Sequence, residues 1–358
     1  MIVLGVLDNK CPACNAKINF NPANQKWDCE YCGSKFTLEE MQQHSNASTV
    51  EANTVVEVKN EAMGNMDMYH CNNCGAEIIA DENTTSTFCV YCGSTAILKN
   101  RIDSGRAPNY IIPFKNVKDD AVVAFKNLFK HKPLTPKCFK DPKNIQKITG
   151  VYIPFWAYDL VADGQIDFEA TDVTTWSDSR YRYTKTSRYS VKKSGHFDFD
   201  KVLSDASSRF PNDLMDSIEP FNYQDLVQYN HAYLSGFLAE KYDVVSNEAF
   251  KEAGARSIRS TQDHILMDMG NYTGKVIFEN TLVAKQTKAE YALLPVWMVN
   301  VKYKDKYYLF AMNGQTGEFI GDIPIDKNKV ILYSVGIFAL IFVISIIISY
   351  IIYLVGVL

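Results

Sequence analysis

Four C-x-x-C pairs constrain this chain more than any other feature: Cys11/Cys14, Cys29/Cys32, Cys71/Cys74 and Cys89/Cys92. Each pair sets two sulfurs on one tight turn, and two facing turns supply the four soft ligands of a tetrahedral ion. The pairs belong to a repeat. CPACNAKINFNPANQKWDCEYCGSKFTL, from Cys11, aligns without a gap with CNNCGAEIIADENTTSTFCVYCGSTAIL, from Cys71. All four cysteines coincide, as do Ala16/Ala76, Ile18/Ile78, Tyr31/Tyr91, Gly33/Gly93, Ser34/Ser94 and Leu38/Leu98. A duplication explains this pattern. Asn15, Gly33, Gly75 and Gly93 follow the second cysteine of each pair, where the backbone needs a left-handed residue.

The sequence therefore predicts two zinc ribbons, over 8–40 and 69–100, each holding one structural Zn2+. The expected ligands are Cys11, Cys14, Cys29 and Cys32 in the first and Cys71, Cys74, Cys89 and Cys92 in the second. Iron or a redox dithiol is the alternative use of such cysteines. A closed four-thiolate shell leaves no position for substrate, and its roughly 10–16 kcal/mol of apparent binding energy goes into folding. Reduced thiols place this half in the cytoplasm. Cys138 is left over and reads as a plain thiol, and His70 beside Cys71 finds the ligand set full.

Charge then separates the uses of a ribbon. Residues 1–100 carry six Lys, no Arg and twelve Asp or Glu, a net of −6. Each Zn2+ with four thiolates would add about −2. Such a surface repels a phosphate backbone, so protein partners are expected and nucleic acid is not. MIVLGVLDNK reads as a first strand, too short to span a bilayer. Residues 41–68 are polar and Asn-rich and read as a linker, with a short helix near Leu38–Gln43.

The region 101–326 has the texture of an α+β domain with an antiparallel sheet. NYIIPF is a strand candidate. DDAVVAFKNLFKHKP reads as a helix with Val122, Phe125 and Phe129 on one face, Asp119 or Asp120 as its cap and Pro133 as its stop. VYIPFWAYDLVADGQIDFEATDV reads as two strands about Asp163–Gly164, and RYRYTKTSRYSVKK continues the sheet. A long helix spans SNEAFKEAGARSIRSTQDHILMDMG, with Phe250, Gly254, Ile258 and Ile265 on one face and Gly270 placed as its cap. Strands flank turns at Lys304–Lys306 and Asn313–Gly317. Ile153-Pro154-Phe155-Trp156 and Leu294-Pro295-Val296-Trp297 echo each other as strands entering one core.

Val330 to Leu358 carries no charge, and about 20 apolar residues suffice to cross a bilayer. One transmembrane helix is expected over 330–354. Tyr333 near one end and Tyr350 and Tyr353 near the other mark two interfaces. Lys327 and Lys329 precede the run, which favours a cytoplasmic N-terminal body and a single-pass protein of the cell membrane.

Two other constellations were weighed. Arg180 to Lys193 carries six positive charges, no acid and interleaved tyrosines. It suits a solvated outer strand or hairpin, acidic lipid, an acidic partner or RNA, the first reading leading. His196, Asp198 and Asp200 alternate on one strand face, which reads as an exposed polar face or turn ahead of a metal or acid–base site. No nucleotide-binding loop, nucleophile elbow or H-E-x-x-H motif is present, so neither an enzyme nor a small-molecule substrate is expected.

The ribbons, followed by IIPF, GVYIPFWAYD, FDFDKVLSDAS, YLSGFLAEKYDV and LLPVWMVNVKYKDKYYLFAMNGQTGE and a terminal apolar helix, resemble the YdjG type of bacterial membrane protein. Members of this type carry two transcription-factor-IIB-type zinc ribbons. The resemblance covers nearly the whole chain, with Asn15 standing where Gly is commoner. It implies an adaptor that recruits flotillin-like SPFH proteins and phage-shock-protein-A-like membrane stress proteins, with the eight cysteines as zinc ligands and no catalytic residue. The alternative is a membrane-tethered nucleic-acid-binding or transcription-related protein.

Overall fold

The computed structural model describes residues 10–47, 66–101 and 107–354, apart from 15, 72–74, 82–88, 90–96, 146, 210–211, 269, 271 and 305. The strand expected at Met1–Lys10 and most of the 41–68 linker lie outside the described residues.

In chain order, β1 (Asn19–Asn21), β2 (Lys26–Asp28) and β3 (Lys35–Phe36) form a small antiparallel sheet, and α1 (Leu38–Ala47) follows. β4 (Met66–Cys71) lies between β5 (Glu77–Asp81) and β6 (Ile97–Arg101). β7 (Tyr110–Ile111), α2 (Lys118–Leu128) and α3 (Pro142–Ile145) lead into two long strands, β8 (Thr149–Ser177) and β9 (Arg182–Asp205). Then come α4 (Asn212–Ile218), β10 (Val227–Gln228), β11 (Leu238–Glu240), α5 (Ser246–Met267) and β12 (Gly274–Asn280). β13 (Val283–Tyr303), β14 (Lys306–Asn313), β15 (Phe319–Gly321) and α6 (Lys327–Leu354) complete the chain. The architecture is multidomain α+β with largely antiparallel sheets.

β8 is the axis of the large sheet. One edge pairs in parallel with β11 at Val151–Tyr152 and then antiparallel with β9 from Phe155 to Ser177. The other pairs antiparallel with β13 over Thr149–Asp163 and then with β12 over Ile166–Thr171. The reversal expected at Asp163–Gly164 is therefore corrected: β8 runs straight through it. Gly164 has φ +150°, and a Cβ there would stand 2.5 Å from the carbonyl oxygen of Thr281. It is the site where the β12–β13 joint presses against β8, a close approach that only glycine permits. The chain reverses instead at Asp178, whose Oδ1 accepts from the backbone N–H groups of Arg180 (2.8 Å) and Tyr181 (2.7 Å).

The two Pro-containing echoes are cross-strand neighbours, with Ile153 opposite Leu294 and Pro154 opposite Leu293. Their tryptophans lie in the core with satisfied indoles: Trp156 donates to Val244 O at 2.9 Å and Trp297 to Asn116 O at 3.2 Å. Packing accounts for both. α2 buries Ala121 and Phe125 against Phe310, and Asp120 accepts from the Val117 N–H at 3.0 Å. The cap position is thus Val117, with Asp120 reaching back from the first turn, and the helix ends at Leu128, well before Pro133. α5 lays Ala249, Ala253, Gly254, Ser257, Thr261 and Ile265 onto the sheet, with Phe250 and Ile258 half-buried beside them. Gly270, beyond its end, has φ +72°.

Neither cysteine-rich segment stands apart from this body. β5 pairs with β11, Ile79 opposite Ala239, so β5, β4 and β6 extend the large sheet. The first segment docks through Trp27, 1% exposed, whose Nε1 donates to Ala232 O at 2.9 Å. The Trp27 ring packs on Phe20 and Tyr233 at 5.0 and 5.1 Å between centroids. Phe20 N donates to Ser235 O at 3.2 Å, and Gln25 Nε2 donates to Phe114 O at 2.8 Å.

α6 is long and apolar enough to cross a membrane: the most apolar 18 residues within Lys327–Ile351 have a mean hydropathy of 2.9, and none of those residues is buried in the body.

Two expected outcomes follow from the packing. Trp27→Ala should cost about 3–5 kcal/mol, as large core truncations do, and Trp27→Phe less, read from denaturant midpoints of the full chain. Burial, with Asp243 and Glu252 nearby, pushes the Asp205 carboxyl up to about 7. Its unfolded counterpart ionises near 3.8. The folded state therefore holds more protons in between, and stability falls as pH rises from about 4 to about 7. Asp205→Asn should raise the melting temperature relative to wild type by an increment that grows across that window and levels off above it.

Candidate metal centre

Cys11, Cys14, Cys29 and Cys32 converge, their four Sγ atoms all within 4.8 Å of one another. Two edges of the cluster are explicit: Cys11 to Cys32 and Cys14 to Cys29, each 3.6 Å. A tetrahedron with metal–sulfur bonds of about 2.3 Å has an edge of about 3.8 Å, so the cluster fits a four-thiolate ion. The backbone builds this geometry. Cys11 N donates to Ala16 O at 2.7 Å, Cys29 N to Ser34 O at 2.9 Å and Gly33 N to Cys29 O at 2.9 Å. Gly33 has φ +73°, as the turn requires. Cys11 and Cys29 are buried, whereas Cys32 is exposed. Burial pushes the Cys11 thiol up, and hydrogen bonding to the Ser34 hydroxyl pulls Cys32 down to about 6. One thiolate is thus at hand, and a bound cation would favour ionisation of the rest.

The second segment carries the same turn as far as it is described. Cys71 N donates to Ala76 O at 2.8 Å and Gly75 N to Cys71 O at 2.8 Å, matching the Cys11–Ala16 and Cys29–Gly33 bonds. Gly75 has φ +74°. Cys71 and Cys89 are both fully buried, as are Ala76 and Ile78. Cys74 and Cys92 lie outside the described residues, as do Asn15 and Gly93.

The other constellations do not assemble. His196, Asp198 and Asp200 share the exposed face of β9 while Phe197 and Phe199 turn inward. His196 lies 3.9 Å from Asp163 and 3.8 Å from Asp198. The half-buried charge of this stretch is the next residue, Lys201. Its Nζ sits 3.0 Å from both Asp159 and Glu290. Burial works against the ammonium, but those carboxylates outweigh it and hold its pKa above the ordinary lysine range. Strand alternation does not signal it: β9 shifts register against β8 here, between Tyr158 and Leu160, and Lys201 has φ +56°. Cys138, half-buried, has its thiol pushed up by burial. Arg180 to Lys193 forms the turn and outer strand of the β8–β9 arm. Trp176 and Tyr183 stack there at 5.6 Å, and Tyr181 and Tyr189 stay exposed.

No family model matches the chain, and no solved structure matches it. Over 332 residues it is 32% identical to the uncharacterized protein YdjG of Bacillus subtilis (strain 168), a span of 93% of this chain and 94% of that protein. The chain belongs to the YdjG family. The match covers nearly the full length of both proteins.

Cys29→Ser should reduce the bound metal by one equivalent per chain, measured by elemental analysis of the purified full-length protein. It should also expose residues 10–47 to limited proteolysis, because a closed thiolate site is a folding constraint.

Proposed function

We propose that the protein is a membrane-anchored adaptor: α6 crosses the bilayer once, and the body before it docks partner proteins in the cytoplasm. One observation carries this reading. A helix whose most apolar 18 residues have a mean hydropathy of 2.9 leaves the body with none of those residues buried, an exposed apolar surface that soluble monomers rarely carry. Lys327 and Lys329 at its start favour a cytoplasmic body.

The metal in the first cluster is Zn2+ on this reading, because four thiolates at tetrahedral spacing select a soft ion and leave no open position for chemistry. The repeated turn at Cys71–Ala76 supports a second Zn2+ held by Cys71, Cys74, Cys89 and Cys92. Both ions are structural. They let short, acidic segments hold rigid surfaces without large cores of their own. Their apolar faces are turned onto the body by Trp27 and β5, so docking falls to what remains outside. Tyr31, 84% exposed between Cys29 and Cys32 and repeated as Tyr91, is the first candidate contact. The partners that fit the family resemblance are flotillin-like SPFH proteins and phage-shock-protein-A-like proteins, in an envelope-stress role.

A second reading, a membrane-tethered nucleic-acid-binding protein, draws on the β8–β9 arm, where exposed aromatics alternate with Arg182, Lys185 and Arg188. The acidic first hundred residues oppose it.

Affinity capture of the full-length protein from solubilised membranes, beside Cys89→Ser/Cys92→Ser and Tyr31→Ala variants, separates the readings. The adaptor reading expects a membrane-associated scaffold or stress protein that is lost with the cysteines and depleted with Tyr31→Ala. Capture of ribosomal or polymerase proteins that nuclease releases would replace it with the second reading.

A further inference from the structure

A cavity of about 830 Å3 opens between α2 and α3, within the range of roughly 300–1,000 Å3 typical of small-ligand sites. Its floor is apolar, formed by Val122, Pro142 and Ile145, with the buried Phe129 and Phe139 behind them. Its rim is basic. Lys126, Lys130 and Lys140 line it together with Lys118, against the single acid Asp119. Among the described residues, Lys126, Lys130 and Lys140 pair with no carboxylate. Clustered ammonium groups repel one another until an anion joins them.

The position of the cavity decides what that anion is. The loop joining Phe129 to Phe139 is fastened to the foot of α6. Asp326 N donates to Leu134 O at 3.0 Å, and Lys329 Nζ donates to Thr135 O at 2.5 Å. The uncharged stretch of α6 begins at the next residue, Val330. The cavity is thus attached where the chain would enter the bilayer. The β8–β9 tip, by contrast, lies at the opposite end of a 29-residue strand.

We propose that this cavity binds one anionic phospholipid, its acyl chain along Val122, Pro142 and Ile145 and its phosphate among Lys126, Lys130 and Lys140. The inference rests on the membrane anchorage proposed above. A soluble anion would use the lysines and leave the apolar floor bare, whereas a neutral lipid would use the floor and leave the lysines unpaired. An anionic lipid satisfies both, and the leaflet beside Lys329 supplies it. The site would give the body a fixed orientation on the membrane and a preference for anionic patches.

The test uses the full-length protein in nanodiscs of phosphatidylcholine, with or without phosphatidylglycerol, read by hydrogen exchange over 118–145 and by native mass spectrometry. Phosphatidylglycerol should slow exchange in this segment and remain bound, while phosphatidylcholine alone and inorganic phosphate should do neither. Lys126→Glu/Lys130→Glu should weaken the lipid preference about tenfold or more. Val122→Trp, which fills the cavity from α2, should abolish retention while the protein stays in the disc. Equal protection in both discs, protection by inorganic phosphate, or full retention by Val122→Trp would overturn the proposal. If alkaline carbonate strips the wild-type protein from membranes, the anchor fails instead. Titration of the full chain with a short-chain, soluble phosphatidylglycerol then decides the cavity by itself: slowed exchange over 118–145 upholds it and unchanged exchange overturns it.

Discussion

The pairing of β8 with its neighbours is the interaction on which the rest depends. A strand of 29 residues offers two long edges of backbone hydrogen-bonding groups, and four other strands occupy them in succession. At one end of β8, β11 connects to β5 and so to the second cysteine-rich segment. At the same end, β13 connects through β14 and β15 to the foot of α6. The other end runs free as the β8–β9 arm. One strand thus links the cysteine-rich segments, the apolar helix α6 and a projecting arm.

How much of this was legible in the sequence depends on the range of the cause. Cysteine spacing and the sixty-residue repeat report local turns, and the structure closes Cys11, Cys14, Cys29 and Cys32 into one cluster. The apolar run at 330–354 and the periodicity of α5 are local in the same sense. Asp163–Gly164 misled because a glycine beside an aspartate looks like a turn, whereas its actual cause is a joint more than a hundred residues away, at Thr281. Trp27 stood out in a polar stretch, but nothing in its neighbours names Ala232 as its partner. The cavity at the anchor joins α2 and α3 with a loop tied to α6, a juxtaposition that no short window contains.

The charges sort by region. Acidic residues dominate the first hundred positions, lysines gather round the cavity beside the anchor, and arginines and tyrosines line the distant arm. Partly buried ionic groups are paired: Lys201 with Asp159 and Glu290, and Arg256 with Glu219 at 2.9 Å. Removing one partner would leave the other partly buried and unmatched.

The central claim is that α6 brings the body, and whatever it docks, to the membrane. Alkaline carbonate fractionation of cells expressing the full chain or a chain ending at Asp326, with captured partners quantified in each fraction, tests it most directly. The account predicts that the full chain stays in the membrane pellet with its partners beside it, and that truncation moves the body and those partners together into the soluble fraction. Release of the full chain by carbonate, or partners that stay on the membrane when the truncated body leaves it, would contradict the account.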